Sequence, residues 1–453
     1  MPFCESIKLM RILILGAGGR DFHNFNLLYR HRKDVEVVAF TASQIPFQVG
    51  RRYPPCLAGP LYPDGIPIID DVRLEDVVRR LKIDAAVFSY SDISHSGVMN
   101  LASRLLAAGC DFYLIGSERT MLKAALPVVS VCAVRTGCGK SAVTRYLCQA
   151  LLKEGRKPVV VRHPMAYGKL EDHAVQSFLN LQDLARHACT LEEREEYEPL
   201  LRLGIPLFAG VDYEAVLALA EKSGDILIWD GGNNDTPFFR PDLEIVLVDP
   251  LRAGDELSYY PGYVNLLRAH IVVISKLSDV PAENLLIIRQ NLQQAVPGKS
   301  IIQGDLEVLV ESPETVAGRR VLVVEDGPSV THGGMAFGAG VVAARRFGAR
   351  EIVDPRPYAA GSLKRVYADY SHLDRVVPAM GYTREQLNDL MRTLAAVPCD
   401  LILSATPVDL RQLVHIDKPV LQVSYEFREC LAGGLSLEMN RMLAQWSLNG
   451  LSG

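Results

Sequence analysis

What the chain has little of narrows its function first. None of its apolar runs approaches the roughly 20 residues needed to cross a bilayer, and the start MPFCESIKLMR lacks the apolar core of a signal peptide. The expected place is therefore the cytoplasm, with no membrane partner. Positive charge is not in excess: 48 Lys and Arg against 53 Asp and Glu leave a net charge of -5, which gives no overall pull toward nucleic acid. The nine cysteines are scattered, odd in number and never spaced C-x-x-C, which argues against a disulfide framework and against a clustered zinc site. Internal repeats and low-complexity tracts are also missing. What remains, 49% apolar and 22% charged residues over 453 positions, is the composition of a globular protein of two or three domains.

Short β-rich runs alternate with amphipathic segments along the whole length. RILILG (11–16), VEVVAF (35–40), DAAVFSY (84–90) and DFYLIG (111–116) are followed by VVSVCAV (128–134), KPVVVR (157–162), DILIWD (225–230) and EIVLVD (244–249). HIVVISK (270–276), RVLVVED (320–326), LILSAT (401–406) and PVLQVSY (419–425) continue the pattern. Runs that are apolar throughout, rather than alternating, indicate strands covered on both faces by helices in a mostly parallel sheet. The predicted class is α/β. Pro127, which restarts the chain after the helix-like ERTMLKAAL, marks a first boundary, and VPGKS with ESPETVAGRR marks a junction before residue 320. The expected units are a Rossmann-like domain over 1–126, a nucleotide-loop domain over 127–319 and a C-terminal α/β region over 320–453, separate or continuous with the sheet before it.

The stretch CAVRTGCGKSAVTR (132–145) follows an apolar strand and runs into an amphipathic helix. A phosphate-binding P-loop reads G-x-x-x-x-G-K-[ST]; Gly139, Lys140 and Ser141 match its end, and Val134 stands where the first glycine belongs. Gly137 still supplies a permissive position inside the loop. Thr136, Gly137, Cys138, Gly139, Lys140, Ser141 and Ala142 are the expected nucleotide contacts, with Lys140 on the β/γ oxygens and Ser141 on Mg²⁺. Asp230 ends an apolar strand about 90 residues further on, the place of the acid that helps hold that metal. The expected cofactors are Mg²⁺ and a nucleoside triphosphate. Cys138, inside the loop, is an oxidation-sensitive thiol or a small filler.

The runs VRTGCGKSAVTR, WDGGNNDTPFFRPDLEIVLVDPLRAGDE, YYPGYVNLLRAHIVVISK and VVEDGPSVTHGGMAFGAGVVAARRFGAREIVDPRPYA together resemble the P-loop GTPases and ATPases related to cyclic 2,3-diphosphoglycerate synthetase. The resemblance spans about residues 11–425. It implies a P-loop domain of the dethiobiotin-synthetase and MinD-like kind behind a Rossmann-like domain. It also implies a role for Arg135, at the loop position where MinD-like proteins carry a lysine that reaches across a dimer, and hence a homo-oligomer. Guanine-specific members read N-K-x-D after a strand, whereas this chain reads Ser275-Lys276-Leu277-Ser278-Asp279. Lys276 still suits the flank of a base, but Ser278 offers no carboxylate to guanine, so ATP is expected ahead of GTP.

Two further loops follow strands, where α/β proteins collect ligands. LILGAGGRDFHNF (13–25) departs from the dinucleotide fingerprint at Asp21, which disfavours NAD and leaves either a tight glycine turn or an anion held near Arg20, His23 and Asn24. VVEDGPSVTHGG offers Glu325 as a metal ligand or base and His332 as an acceptor contact, and DPRPY adds Arg356. Cations and loop amides on one side of a sheet suit a small anionic substrate. An alternative is a buried network joining two subdomains. HPMAYGKL (163–170) places His163 and Tyr167 after a strand, toward the mouth of the nucleotide loop if that strand neighbours the first. The reading is a Mg-dependent kinase or ligase that activates a phosphate or carboxylate, with Lys140, Arg135, Asp230, His332 and Arg356 as catalytic candidates. The competing class is a regulatory or metal-delivery NTPase, against which the lack of a Cys/His cluster counts. Competition binding tests the base preference: ATP should bind more tightly than GTP, and a tenfold preference for GTP, about 1.4 kcal/mol, would overturn it.

Overall fold

The computed structural model describes residues 9–42, 48–164, 168–232, 235–278, 280–331, 334–379, 383–413, 416–431 and 433–450. Two large sheets organise them. In the first, the strands run in the order Arg52–Tyr53, Ile66–Asp70, Val35–Ala42, Met10–Leu15, Ala85–Phe88 and Asp111–Leu114, parallel except at the Arg52–Tyr53 edge. The chain moves outward from Met10–Leu15 to one side and later returns to the other. The loops after Met10–Leu15 and Ala85–Phe88 therefore diverge and leave a crevice at their carboxyl ends.

The second sheet has thirteen strands among the described residues. Pro158–Arg162, Ile226–Asp230, Val128–Ala133, Leu243–Val248 and Ile271–Ile274 are adjacent in that order and mutually parallel. All six residues of Val128–Ala133 are buried, as the unbroken apolar run requires when helices cover both faces. Ser300–Val310 then carries the sheet into the C-terminal third. Its first four residues pair in parallel with Ile271–Ile274, and from Gly304 onward it pairs antiparallel with Val420–Glu429. Gly304 is required there, because a Cβ would lie 2.3 Å from the ring of Phe427. Leu401–Ala405, Arg320–Asp326 and, at the far edge, Glu351–Ile352 extend the same sheet, so the described strands after residue 320 share one sheet with those before them.

The helix Lys140–Lys153 buries Val143, Leu147 and Leu151, one residue every fourth position, which puts them on one face against the central strands. Arg145 donates to the Tyr425 carbonyl at 3.0 Å, so the same helix also grips the C-terminal part of the sheet. The two sheets are joined by aromatic contacts. His23, on the helix Arg20–Leu28, stacks on Phe238 with ring centroids 4.3 Å apart, and Phe238 stacks in turn on Trp229 at 4.7 Å. Leu147 is fully buried in the main core. Leu147→Ala should cost ~2–5 kcal/mol by lost transfer energy and a residual cavity, read as a lower midpoint in thermal unfolding.

Candidate functional site

The strand Val128–Ala133 ends beside Ile226–Asp230, with Asp230 in register with Val131. Between Val134 and Lys140 the chain turns through Gly137 (φ 82°) and Gly139 (φ 100°), left-handed positions that favour glycine. Val134 needs no such freedom. Its N–H donates to the Leu247 carbonyl at 3.0 Å, and its backbone is approached instead by Gly262, where a Cβ would stand 2.1 Å from the Val134 oxygen. The glycine absent from the first position of the motif thus has a counterpart on a facing segment, 128 residues away by the numbering (262 − 134).

Side chains from distant elements hold the loop. Arg252 Nη2 donates to the Thr136 carbonyl at 2.7 Å, Ser275 Oγ donates to the Cys138 carbonyl at 2.7 Å, and the Thr136 N–H donates to Asp92 Oδ2 at 3.2 Å. Asp92 belongs to the loop after Ala85–Phe88, so the first sheet takes part in shaping the nucleotide loop. Cys138 is fully buried and burial pushes its thiol pKa up, which makes it a filler rather than a reactive thiolate.

Burial lowers the pKa of Lys140, while Cys138, Asp230 and Asp92 oppose that shift by their charge. Asp230 is fully buried; Arg162 Nη1 donates to its Oδ2 at 2.6 Å, and Oδ1 has no hydrogen-bond partner among the described residues. A buried carboxylate oxygen left open beside a lysine and the start of a helix suits a metal-bound water or the metal itself. Ser141 lies one residue into that helix.

Other expected contacts are placed differently. Arg135 is committed within its own chain: Nε donates to Asp92 Oδ1 at 2.6 Å, a second ion pair joins it to Asp255, and its guanidinium lies 3.7 Å from the Tyr259 ring centroid. A reach across a dimer would require breaking all three. Lys276 donates to Asp249 Oδ2 at 2.8 Å and lies beside the loop. Ser278 N–H donates to Asp305 Oδ1 at 3.2 Å, so a carboxylate from Ser300–Val310 stands where the local motif has none. Asp279 lies outside the described residues.

Glu325 is a correction. Its carboxylate accepts the N–H groups of Gly338, Gly340 and Val341 at 2.9–3.2 Å, capping the helix Ala339–Arg346, and burial pushes its pKa up to about 7. Its lone pairs face the start of that helix rather than a metal. Arg356 is engaged locally. It sits on a turn beyond the outermost strand, half exposed and paired with Asp354 at 2.7 Å, with six strands between its edge and Val128–Ala133. His332 and Tyr167 lie outside the described residues. The C-terminal glycine loop does reach the site through Met335, whose sulfur would lie 2.8 Å from a Cβ on Gly137. The amides of the N-terminal glycine turn are already taken: Asp21 Oδ1 accepts from Gly18, Gly19 and Phe22 at 2.7–3.1 Å, which is the tight-turn alternative for those amides.

No family model matches the sequence. The chain is 49% identical over 442 residues, 98% of either chain, to the arginine synthetase ArcE of Thermococcus kodakarensis. It is 21% identical over 267 residues, 51% of this chain and 60% of the other, to the cyclic 2,3-diphosphoglycerate synthetase of the same organism. Among solved structures, LpxK of Aquifex aeolicus, in complex with ATP, aligns over 82% of this chain and 99% of its own with a TM-score of 0.43 and 16% identity. Gly262 gives the geometry its direct check. Gly262→Ala should push the loop at Val134 and weaken Mg·ATP binding at least tenfold in calorimetry; unchanged affinity would refute the compensating role.

Proposed function

The chain belongs to the arginine synthetase ArcE family, and we propose that it is an ATP-dependent synthetase forming arginine or a closely related guanidino amino acid. The observation that carries the reading is the buried, partnerless Oδ1 of Asp230 beside the glycine loop and Lys140. Ser141 and Asp230 are the groups that would hold Mg²⁺, which when bound offsets the charge on the phosphate oxygens. Lys140 and the loop amides orient the terminal phosphoryl group and stabilise the charge that develops during its transfer. Transfer to an acceptor oxygen makes that oxygen a leaving group that a nitrogen nucleophile can displace. This is the ligase side of the kinase-or-ligase alternative.

Coverage supports the choice of acceptor class. The match to ArcE spans 98% of both chains and the match to the cyclic diphosphoglycerate enzyme 51% of this one, which favours an amino acid over a phosphoglycerate.

The reverse direction tests the proposal without requiring the identity of every substrate. Labelled ADP should enter ATP in the presence of Mg²⁺, phosphate and L-arginine. Lys140→Ala should lower that exchange at least a hundredfold while its thermal unfolding stays that of the parent. Exchange that does not depend on L-arginine would refute the product class, and exchange unaltered by Lys140→Ala would refute the loop.

A further inference from the structure

We propose that the cleft between the glycine turn of the first sheet and the turn after Ile226–Asp230 is the amino-acid pocket, gripping a zwitterion between Arg20 and Asp235. The cleft lies at the carboxyl ends of Met10–Leu15, Ala85–Phe88 and Asp111–Leu114 and is closed on its other side by Asp235, Thr236 and Tyr260. It occupies the crevice where the strand order of the first sheet reverses, the place where open α/β sheets take ligands.

Three observations give the cleft its chemistry. Arg20 is fixed rather than waving: Nη1 donates to Thr120 Oγ1 at 3.1 Å, Nη2 donates to the Thr236 carbonyl, and the guanidinium lies 3.9 Å from the Phe238 ring centroid. Asp235, 3% exposed, presents the opposite charge, with Oδ2 3.4 Å from His163 Nε2. Asn24 is 2% exposed; its Nδ2 donates to Ser89 Oγ at 3.0 Å, and its Oδ1 has no partner. A buried acceptor left open forfeits the hydrogen bonds it would make to water, and both Asn24 and Ser89 line the cleft. A ligand that brings an N–H donor removes that cost.

A fixed cation, a buried carboxylate and an open acceptor on one wall do not suit a simple anion. Nor do the turn amides, which Asp21 already occupies. They suit a molecule with a carboxylate at one end and cationic or N–H-bearing nitrogen at the other. Burial holds the Asp235 carboxyl up at about 7 and the His163 imidazole down at about 4, so near neutrality an arriving cation would fix Asp235 in its ionised form. Asp235 stands five residues past Asp230 by number (235 − 230), and Lys140 acts on its charge. The Asp235 wall of the cleft therefore lies within electrostatic reach of the lysine of the nucleotide loop.

The ligand assigned to the pocket, and with it the choice of probe, rests on the arginine reading above. The experiment is calorimetric titration of L-arginine into the full chain saturated with Mg·ADP, for the parent, Arg20→Gln and Ser117→Trp. Ser117 lines the cleft, and its replacement by a bulky ring takes up space there while leaving Arg20 and Asp235 in place. The expected result is an at least tenfold loss of L-arginine affinity in both variants, with ADP affinity within threefold of the parent. If Arg20→Gln also loses ADP binding, Ser117→Trp alone decides. L-arginine binding within threefold of the parent in the variants that still bind ADP overturns the pocket and leaves the arginine reading intact. A parent that binds ADP but not L-arginine overturns the arginine reading and this pocket with it.

Discussion

One carboxylate ties the two halves of the molecule at the point where chemistry is expected. Asp92, from the first sheet, accepts the Arg135 guanidinium at 2.6 Å and the Thr136 N–H at 3.2 Å. The ion pair is about nine-tenths buried on either side. Removing one member of such a pair leaves an uncompensated charge and costs about 3–5 kcal/mol, so the loop and the first sheet are not independent bodies. The small ladder of Ile93–Ser94 with Tyr259–Tyr260 fixes the same junction with backbone hydrogen bonds. A loop built this way keeps its shape only while the first sheet stays docked.

That docking explains why the site is so dry. Arg162, Asp230, Lys140, Arg20, Asp235 and His163 sit where the sheet edges meet, and charges removed from water act on one another far more strongly than on a surface. The pKa directions follow: burial drives Lys140 and His163 down and Asp235 up. Preorganised charge of this kind is what a group transfer between two polar reactants needs, because the protein dipoles are already oriented.

Legibility in the sequence varied with distance along the chain. The unbroken apolar runs announced parallel strands, since a strand covered on both faces has no polar side to show. The strand, loop and helix around Lys140 were readable because their chemistry depends on neighbours within about ten residues. Glu325 read as a ligand because a strand-end acid before a glycine run looks the same whether it meets a metal or caps the next helix. Arg356 shows a related limit of local pattern: a cation after a strand says nothing about which strand of a wide sheet it follows.

By itself, then, the sequence determined the α/β class, the turn chemistry of Gly137 and Gly139, and the presence of an acid at the end of Ile226–Asp230. Only the tertiary structure decided that Gly262 makes room for Val134, that Met335 lies over Gly137, that Asp305 reaches Ser278, and that Arg20 faces Asp235. The physical reason is that local rules act through hydrogen bonds and sterics between near neighbours, which spacing records. Contacts between residues 27 to 215 positions apart (305 − 278, 235 − 20) are set by strand order and sheet docking, and no spacing in the chain encodes these.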